Sequence, residues 1–300
     1  GKPAEAAVAR GDEVKVGTIV GAASGFVSAN VHASVAGKVK KIDMVVDPQG
    51  RRRQSVIISV AEEQVWEDGI DTSPDLVGEI SSSPEEIIQA MREAGIVGAG
   101  GATFPSAVKY SIPEGKVVDT VIINGVECEP YLTADHREML ERTDELIVGT
   151  RVLMKSVGVT TGYIGIENNK PDAIERVAER LKERADRADD AGRPVFPEGT
   201  IQVQPLTVKY PQGGEKQLIQ AILGREVPSG KLPLDVGCVV SNVGTTVAVY
   251  RAVQKKMPFI ERVVTVTGKE LSQGRNFLVR LGTPVSALVE AVGGVPEGTG

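Results

Sequence analysis

Between residues 116 and 256 the sequence alternates between short strand-like runs and longer segments with helical periodicity. This alternation predicts an α/β domain built on a largely parallel sheet. The predicted strands are 116–124, 160–168, 200–206 and 237–242, and the predicted helices are 144–158, 171–188, 215–224 and 245–256.

Polar residues stand where these predicted strands end. Asn124, Glu167 and Asn242 each occupy such a position. In open α/β sheets, ligands bind outside the carboxyl ends of the strands. The sequence therefore predicts a ligand site at this edge of the sheet.

The segment before the α/β domain has a different pattern. Residues 1 to about 65 are predicted to form short strands with glycines at the turns. The runs GDEVKVGTIVG and VHASVAGKVKKIDMVV resemble the biotinyl/lipoyl-type barrel-sandwich hybrid. A carrier of that fold presents a modifiable Lys at a hairpin tip, but the equivalent turn VHASVAG has none. We interpret this module as a scaffold rather than a swinging arm.

The remaining boundaries follow from a linker and a change of pattern. Residues 69–82 are polar, and a helix then begins with Ser83 as N-cap, Pro84 at the first position and Glu86 completing a capping box. After Phe259 the runs RVVTVTGKEL and FLVRLGTPVSALVEAVGG resemble a β-grasp module of the soluble ligand-binding type. We predict three domains: 1–68, 69–258 and 259–300, the last incomplete in what we expect to be a fragment of a longer protein.

Composition excludes several kinds of function. The net charge is −6 and lysines and arginines are not clustered, which argues against a nucleic-acid surface. No stretch approaches the roughly 20 apolar residues of a membrane span, and there is no apolar signal core, so we expect a soluble chain. Two cysteines and two histidines, without a CxxC, cannot alone build a zinc site or an iron–sulfur cluster.

The glycine-rich run GIVGAGGATFPSAVKY, residues 95–110, is the first candidate site. Its glycines leave backbone N–H groups unobstructed and permit positive φ, so the loop can form an anion nest, to which Lys109 can add a full charge. It is neither a Walker loop nor a dinucleotide fingerprint, because GxxxxGK[ST] is absent and a helix, not a strand, precedes it. A plain glycine-rich turn is the alternative.

Three further runs fall at consecutive predicted strand ends. INGVECEPYLTADHREM carries acidic residues, and Glu127 and Glu129 share a face only if the segment is extended. In KYPQGGEKQLIQAILGRE two glycines lead directly into a helix, and CVVSNVGTT ends a strand and starts another helix. Each run has a simpler explanation as a solvated loop or a helix cap. Together with the glycine loop they form the layout of a mononucleotide site.

In this order, GAGGATFPSAVKY, INGVECEPY, YPQGGEKQLI and VSNVGTT resemble a flavoprotein family. This family includes the NADH-oxidising subunit of respiratory complex I and the C subunit of the Rnf electron-transport complex. The run GATFPSAVK followed by VECEPYLTADHREM resembles the Rnf C subunit most closely. The resemblance covers about residues 1–295. It implies a Rossmann-like FMN- and NADH-binding domain between the sandwich and β-grasp modules.

The resemblance also implies roles for individual residues. The family's FMN phosphate site corresponds to Gly98, Gly100, Gly101 and Lys109. Further contacts to the flavin are implied for Asn124, Glu127, Tyr210, Gly213, Gly214, Glu215, Ser241, Asn242 and Thr245. Phe104 and Glu129 would orient NADH. No side chain is expected to be catalytic, because the flavin performs the chemistry.

Two departures from the family pattern affect these expectations. Val126 stands where complex I has an Asp, and Ile112 stands where a second adenine-stacking aromatic is usual. The Rnf C subunit also carries two cysteine-rich motifs after the matching region, so [4Fe-4S] clusters are expected only in a C-terminal part beyond this sequence.

The function implied is hydride transfer from NADH to FMN, followed by electron transfer through iron–sulfur clusters to other Rnf subunits. The protein would lie peripherally on the cytoplasmic face of the bacterial inner membrane. One alternative is a cobalamin reductase of the same architecture. Another is a non-catalytic docking subunit.

Overall fold

The computed structural model describes residues 1–47, 50–185, 200–271, 273–295 and 298. Its N-terminal part is strand-rich, as predicted. Six strands form two antiparallel sheets with the orders β1-β3-β4 and β2-β5-β6. They are β1 (Glu5–Ala6), β2 (Glu13–Val14), β3 (Ile19–Ala22), β4 (Val31–His32), β5 (Gly37–Val46) and β6 (Arg52–Val60). The buried side chains between them are small: Val14, Val20, Ala33 and Val39.

The central part confirms the predicted parallel sheet. Its four strands have the order β10-β7-β8-β9, and every neighbouring pair is parallel. The strands are β7 (Thr120–Gly125), β8 (Thr161–Glu167), β9 (Ile201–Leu206) and β10 (Cys238–Asn242). The helices are α1 (Pro84–Glu93), α2 (Ser106–Tyr110), α3 (Ala134–Glu141), α4 (Thr143–Ser156), α5 (Pro171–Ala185), α6 (Glu215–Leu223) and α7 (Val243–Lys255).

Both faces of this sheet are covered. Val121 and Ile123 of β7 belong to the large apolar cluster that α4 and α7 complete, whereas Ile122 belongs to the cluster on the α6 side. This division follows from the two-residue repeat of a strand, which sends alternate side chains to opposite faces. A sheet buried on both faces leaves its edges and strand ends for polar groups.

The predicted start of α1 is confirmed in detail. The Ser83 hydroxyl accepts a hydrogen bond from the Glu86 amide at 3.2 Å, and the Glu86 carboxylate accepts one from the Ser83 amide at 2.7 Å. These two bonds satisfy amides that have no partner within a helix. The helix is followed by Gly95 with φ +66°, a conformation that favours glycine.

Other boundaries differ from the prediction. β7 begins at Thr120 rather than at residue 116, because the preceding residues form a turn in which the Lys116 amide bonds to the Pro113 carbonyl. The last three residues of the helix predicted over 171–188 lie outside the described residues. Helix α3 was not predicted, and its first turn depends on a distant side chain described below.

The C-terminal part contains the predicted strands. β11 (Glu261–Val266) pairs antiparallel with β12 (Arg275–Arg280), and α8 (Val285–Ala291) follows. Arg280 donates a hydrogen bond to the Ser34 carbonyl at 2.5 Å, and its guanidinium lies 4.6 Å from the centre of the Trp66 ring. This hairpin therefore packs against the N-terminal sandwich. Within the described residues, no helix is long and apolar enough to cross a membrane.

The contact between α4 and α7 leaves no room for a side chain at Gly149. A Cβ there would collide with the Thr246 carbonyl oxygen and come within 3.1 Å of its carbon. We expect Gly149→Ala to lower the free energy of unfolding by about 1–3 kcal/mol, because overpacking outweighs the higher helix propensity of Ala. Urea denaturation measures this change.

Gly244→Ala is the matched control for that substitution. It adds the same Cβ to the first turn of α7, where the nearest atoms are 3.4 Å away, an ordinary contact distance. Equal stability of the two variants would contradict the close approach of α4 and α7.

Candidate functional site

The strand register brings the predicted polar strand ends together. Asn242 at the end of β10 lies directly beside Asn124 on β7, which in turn lies beside Gly165 on β8. Glu167 is the last residue of β8 and is buried. Three of the candidate runs follow β7, β9 and β10 at this edge. The glycine loop lies between α1 and α2 and reaches the same edge where Gly100 approaches Asn242. The predicted clustering is therefore confirmed at the level of the strand ends.

The glycine loop is a closed structure with free donors at its tip. The Gly98 amide bonds to the Phe104 carbonyl at 2.9 Å, and the Ser106 amide bonds to the Ile96 carbonyl at 2.9 Å. Between these closing bonds the chain turns at residues 99–102, and the amides of residues 100–104 form no hydrogen bond of standard geometry with the described part of the chain. All five residues are exposed. Gly101 has φ +114° and open space where a Cβ would point. Consecutive free amides of this kind form a concavity that binds anions.

Hydrogen bonds and close packing hold the glycine loop against the start of α7. The Ala99 amide donates to the Thr245 hydroxyl at 2.8 Å, and Arg262 donates to the Ala99 carbonyl at 3.2 Å. A Cβ on Gly100 would lie 3.2 Å from the Cβ of Asn242, so only glycine allows this approach without displacement. Thr245 therefore positions the loop, a role that its place near a helix start did not reveal.

Lys109 lies in the last turn of α2 and forms an ion pair with Glu215, the first residue of α6. Both side chains are partly exposed. The pair holds the only lysine of the glycine-rich run beside the amino terminus of α6, where the helix dipole also favours negative charge. An anion at the glycine loop would therefore either share Lys109 with Glu215 or replace Glu215 as the partner of Lys109.

Asn124 attaches the loop before α6 to the sheet. Its side-chain amide donates to the Gly213 carbonyl at 2.8 Å, and its oxygen accepts from the Val126 amide at 3.1 Å. A Cβ on Gly213 would meet the Val126 carbonyl at 3.0 Å and the Cys128 sulfur at 3.1 Å. The glycine is thus required by close packing, and its carbonyl holds the Asn124 amide.

Glu127 is buried and has several protein partners. Its carboxylate accepts hydrogen bonds from the backbone amides of Asp135 at 2.8 Å and His136 at 3.0 Å, which are the first-turn donors of α3. The Nζ of Lys170 lies 3.6 Å from Glu127 and 3.0 Å from Glu167, and Lys170 itself is only 7% exposed. Glu127 therefore satisfies the first-turn amides of helix α3. With Lys170 and Glu167 it forms a buried ion cluster.

Lys170 is a residue of this cluster that sequence reasoning missed. The available signal was its place in the polar turn that follows strand β8. Glu129, by contrast, is exposed, and the segment around it is not a strand. Glu127 and Glu129 therefore do not lie in a common environment, as an extended segment would have required.

Asp135 connects α3 to the glycine-loop side of the site. Its carboxylate accepts a hydrogen bond from the Asn242 side chain at 2.6 Å, while the Asn242 oxygen caps α7 by accepting from the Thr245 amide at 3.2 Å. Burial and the neighbouring Glu127 carboxylate raise the pKa of Asp135 to about 7. The Glu127 carboxylate is thus close enough to disfavour ionisation of Asp135.

This raised pKa predicts a pH-dependent stability. The folded state binds the Asp135 proton more tightly than the unfolded chain does, so its stabilising effect is full below about pH 4 and is lost as pH rises through about 7. We expect Asp135→Asn to match the parent near pH 4 and to be more stable near pH 8. Urea denaturation at both pH values measures this difference, and an equal difference at the two would contradict the prediction.

The other predicted site residues have different surroundings. Ser241 is buried and lies beside the hydroxyl of Tyr110, a buried residue that the sequence did not single out. Gly214 is the N-cap of α6. Tyr210 is 75% exposed and Phe104 is 42% exposed, so both aromatic rings are accessible at the surface.

Two protein-family models match the chain. The Nuo51 FMN-binding domain matches residues 91–251, more than half of the sequence. The RnfC barrel sandwich hybrid domain matches residues 1–63. The second match confirms the fold proposed for the N-terminal module.

Curated relatives match nearly the whole chain. It is 44% identical to the C subunit of the proton-translocating ferredoxin:NAD(+) oxidoreductase complex of Clostridium ljungdahlii, over 99% of this chain and 61% of the relative. It is 42% identical to the C subunit of the Na(+)-translocating ferredoxin:NAD(+) oxidoreductase complex of Acetobacterium woodii, over 98% of this chain and 62% of the relative. The chain thus spans less than two thirds of the length of these relatives.

A solved structure shares the fold. The NAD+-reducing [NiFe]-hydrogenase in its H2-reduced state superimposes with a TM-score of 0.59 and 23% sequence identity, over 70% of this chain and 39% of that chain. At this identity the likeness concerns the fold alone. We conclude that this chain belongs to the family of the Nuo51 FMN-binding domain, and that along nearly its whole length it is similar to C subunits of ferredoxin:NAD(+) oxidoreductase complexes.

Proposed function

We propose that this chain binds FMN at the glycine loop and that NADH reduces this flavin in the whole protein. The observation that carries the proposal is the row of five exposed, unpartnered amides at residues 100–104, in a loop whose run also supplies Lys109. Backbone donors and one lysine are what a dianionic phosphate requires. The residues present therefore fit the phosphate of FMN.

Bound FMN would supply the chemistry: it accepts a hydride and releases electrons singly. The chain's own groups bind and orient. Gly100, Gly101 and Lys109 would hold the phosphate, and Gly98 would shape the loop through its hydrogen bond to the Phe104 carbonyl. Asn242 and Thr245 keep that loop in place. Asn124 fixes the turn of Gly213 and Gly214, and this turn together with Tyr210 is proposed to carry the flavin ring. Glu215 would hold Lys109 beside it.

Further residues are proposed to form the remainder of the site. Glu127 is proposed to act mainly through α3 and Lys170, since its oxygens already accept two amide hydrogens. Ser241 would line the floor beside Tyr110. The exposed side chains of Phe104 and Glu129 are proposed to contact NADH, because neither is buried by the described chain.

In the whole protein, electrons would pass to iron–sulfur clusters and then to other subunits of an Rnf complex, peripherally at the cytoplasmic face of the membrane. Support comes from relatives named as C subunits of ferredoxin:NAD(+) oxidoreductase complexes. We also propose that residues 259–300 form a β-grasp module, and that residues 1–68 and 69–258 form the other two domains. The paired strands β11 and β12 followed by α8 support that assignment.

The test is reconstitution of the chain with FMN, followed by mixing with NADH or NADPH in a stopped-flow spectrometer. We expect FMN fluorescence to be quenched on binding and the flavin absorbance to bleach with NADH. Absence of FMN binding would contradict the cofactor assignment. Binding without bleaching by either nucleotide would contradict NADH oxidation while leaving the flavin site intact.

A further inference from the structure

The β5–β6 hairpin extends beyond its sheet. Strand β2 pairs with β5 only at Gly37 and Lys38, whereas β5 remains paired with β6 as far as Val46 opposite Arg52. We call residues 42–47 and 50–56 the outer hairpin. It is a two-stranded ribbon, which is marginally stable alone and has hydrogen-bonding groups along its edges.

One face of the outer hairpin carries an apolar strip along β5 that continues from the core, with Gln54 and Arg52 opposite it on β6. Val56 packs against the N-terminal core and lies opposite Ile42. Farther out on the same face are Met44, 49% exposed, and Val46, 61% exposed. Val45 on the other face is also exposed. No described residue covers this strip, and contiguous exposed apolar side chains of this kind mark interaction sites.

The outer hairpin is also basic, although the chain as a whole has a net charge of −6. It contains three arginines, Arg51, Arg52 and Arg53, and two aspartates. One of these aspartates, Asp43, pairs with Lys41 at the base of the hairpin. Asp47 accepts hydrogen bonds from the Arg51 amide at 2.8 Å and from Arg53 Nε at 3.4 Å. The guanidinium groups of Arg51 and Arg52 form no ion pair within the described part of the chain, so their charges are available to a partner.

We propose that the outer hairpin is a docking surface for another protein whose contacting face is acidic around an apolar strip. A protein fits better than an anionic membrane, because a protein can place its acidic groups opposite the arginines and away from Asp43 and Asp47, whereas a membrane surface presents anionic headgroups to both. Arginine and methionine are also enriched in protein interfaces, where lysine is depleted. Opposite charges would speed the encounter, and the apolar strip would hold the bound partner.

This inference rests on the proposed place of the protein in a multi-subunit complex, so its test uses the full-length protein in that complex. The variant is Arg51→Glu/Arg52→Glu. The measurement is the fraction of the protein retained when the detergent-solubilised complex is captured through a tag on another subunit. We expect retention to fall about tenfold and to fall further as salt is raised.

The matched control is Lys2→Glu/Arg10→Glu, which makes the same charge change on exposed residues of the same module. It should be retained like the parent, and all three proteins should keep the same FMN content. A second variant, Met44→Ser/Val46→Ser, should also reduce retention because it removes the apolar strip without altering charge. Capture of the parent reports on the proposed complex, whereas the difference between the variants reports on the hairpin.

Two outcomes would overturn the docking surface. One is retention of Arg51→Glu/Arg52→Glu equal to that of the control pair. The other is normal retention in detergent combined with loss of binding to vesicles that contain anionic lipid, which would assign the hairpin to a membrane surface instead.

Discussion

Replacing Lys109 with Gln is expected to weaken FMN binding by about 10- to 100-fold. A hydrogen bond to a charged group contributes about 1.5–3 kcal/mol, and each 1.4 kcal/mol is a factor of ten in affinity. The melting temperature should hardly change, because the ion pair with Glu215 is partly exposed and such pairs contribute about 0–1 kcal/mol. Fluorescence titration with FMN measures the dissociation constant.

Glu215→Gln is the companion variant for this experiment. It removes the carboxylate that now pairs with Lys109 but keeps the lysine. FMN should bind more tightly than in the parent, since the phosphate no longer competes with a fixed negative charge. Unchanged affinity in Lys109→Gln would show that the phosphate is held elsewhere, whatever Glu215→Gln does.

Replacing Lys170 with Met is expected to lower the free energy of unfolding by about 3–5 kcal/mol. The substitution leaves the carboxylates of Glu127 and Glu167 buried without their shared counter-ion, and an uncompensated buried charge has this cost. Urea denaturation at pH 7 measures the change. Circular dichroism should also show whether α3 is lost, because Glu127 accepts its first-turn amides.

Two comparisons make this prediction specific. Lys182→Met changes an exposed lysine on α5 and should alter stability by no more than about 0.5 kcal/mol. Adding Glu167→Gln to Lys170→Met should recover part of the loss, because one of the two uncompensated carboxylates is removed. A loss below about 1 kcal/mol for Lys170→Met would contradict the buried ion cluster.

The elements that the sequence predicted well are those with local causes. Helix α1 begins where Ser83 and Glu86 satisfy each other's amides, and this requires only residues three positions apart. The four parallel strands follow from the alternation of patterns and from their buried, apolar character. The glycine loop was a candidate for the same reason, because its composition alone leaves the amides accessible.

The roles inside the site have causes distant in sequence, and the prediction was weaker there. Helix α3 was not predicted because its first-turn donors, the amides of Asp135 and His136, are satisfied by Glu127, which precedes these two residues by eight and nine positions. Thr245 resembled an ordinary residue at a helix start, yet its hydroxyl accepts a hydrogen bond from the Ala99 amide. Lys170 stood out in no motif, because its role depends on the burial of two carboxylates, Glu167 three residues earlier and Glu127 in the loop after β7.

The sequence by itself therefore determined the class of fold, the edge of the sheet at which the candidate site lies, and the loop that we propose as the anion site. Periodicity, capping and glycine content act over a few residues, so they can be recognised in the chain. Tertiary structure alone decided that Lys109 is held by Glu215, that Gly100 lies against Asn242, and that Glu127 is neutralised by Lys170. Those contacts join residues up to more than a hundred positions apart, and their strength depends on burial, which no local pattern specifies.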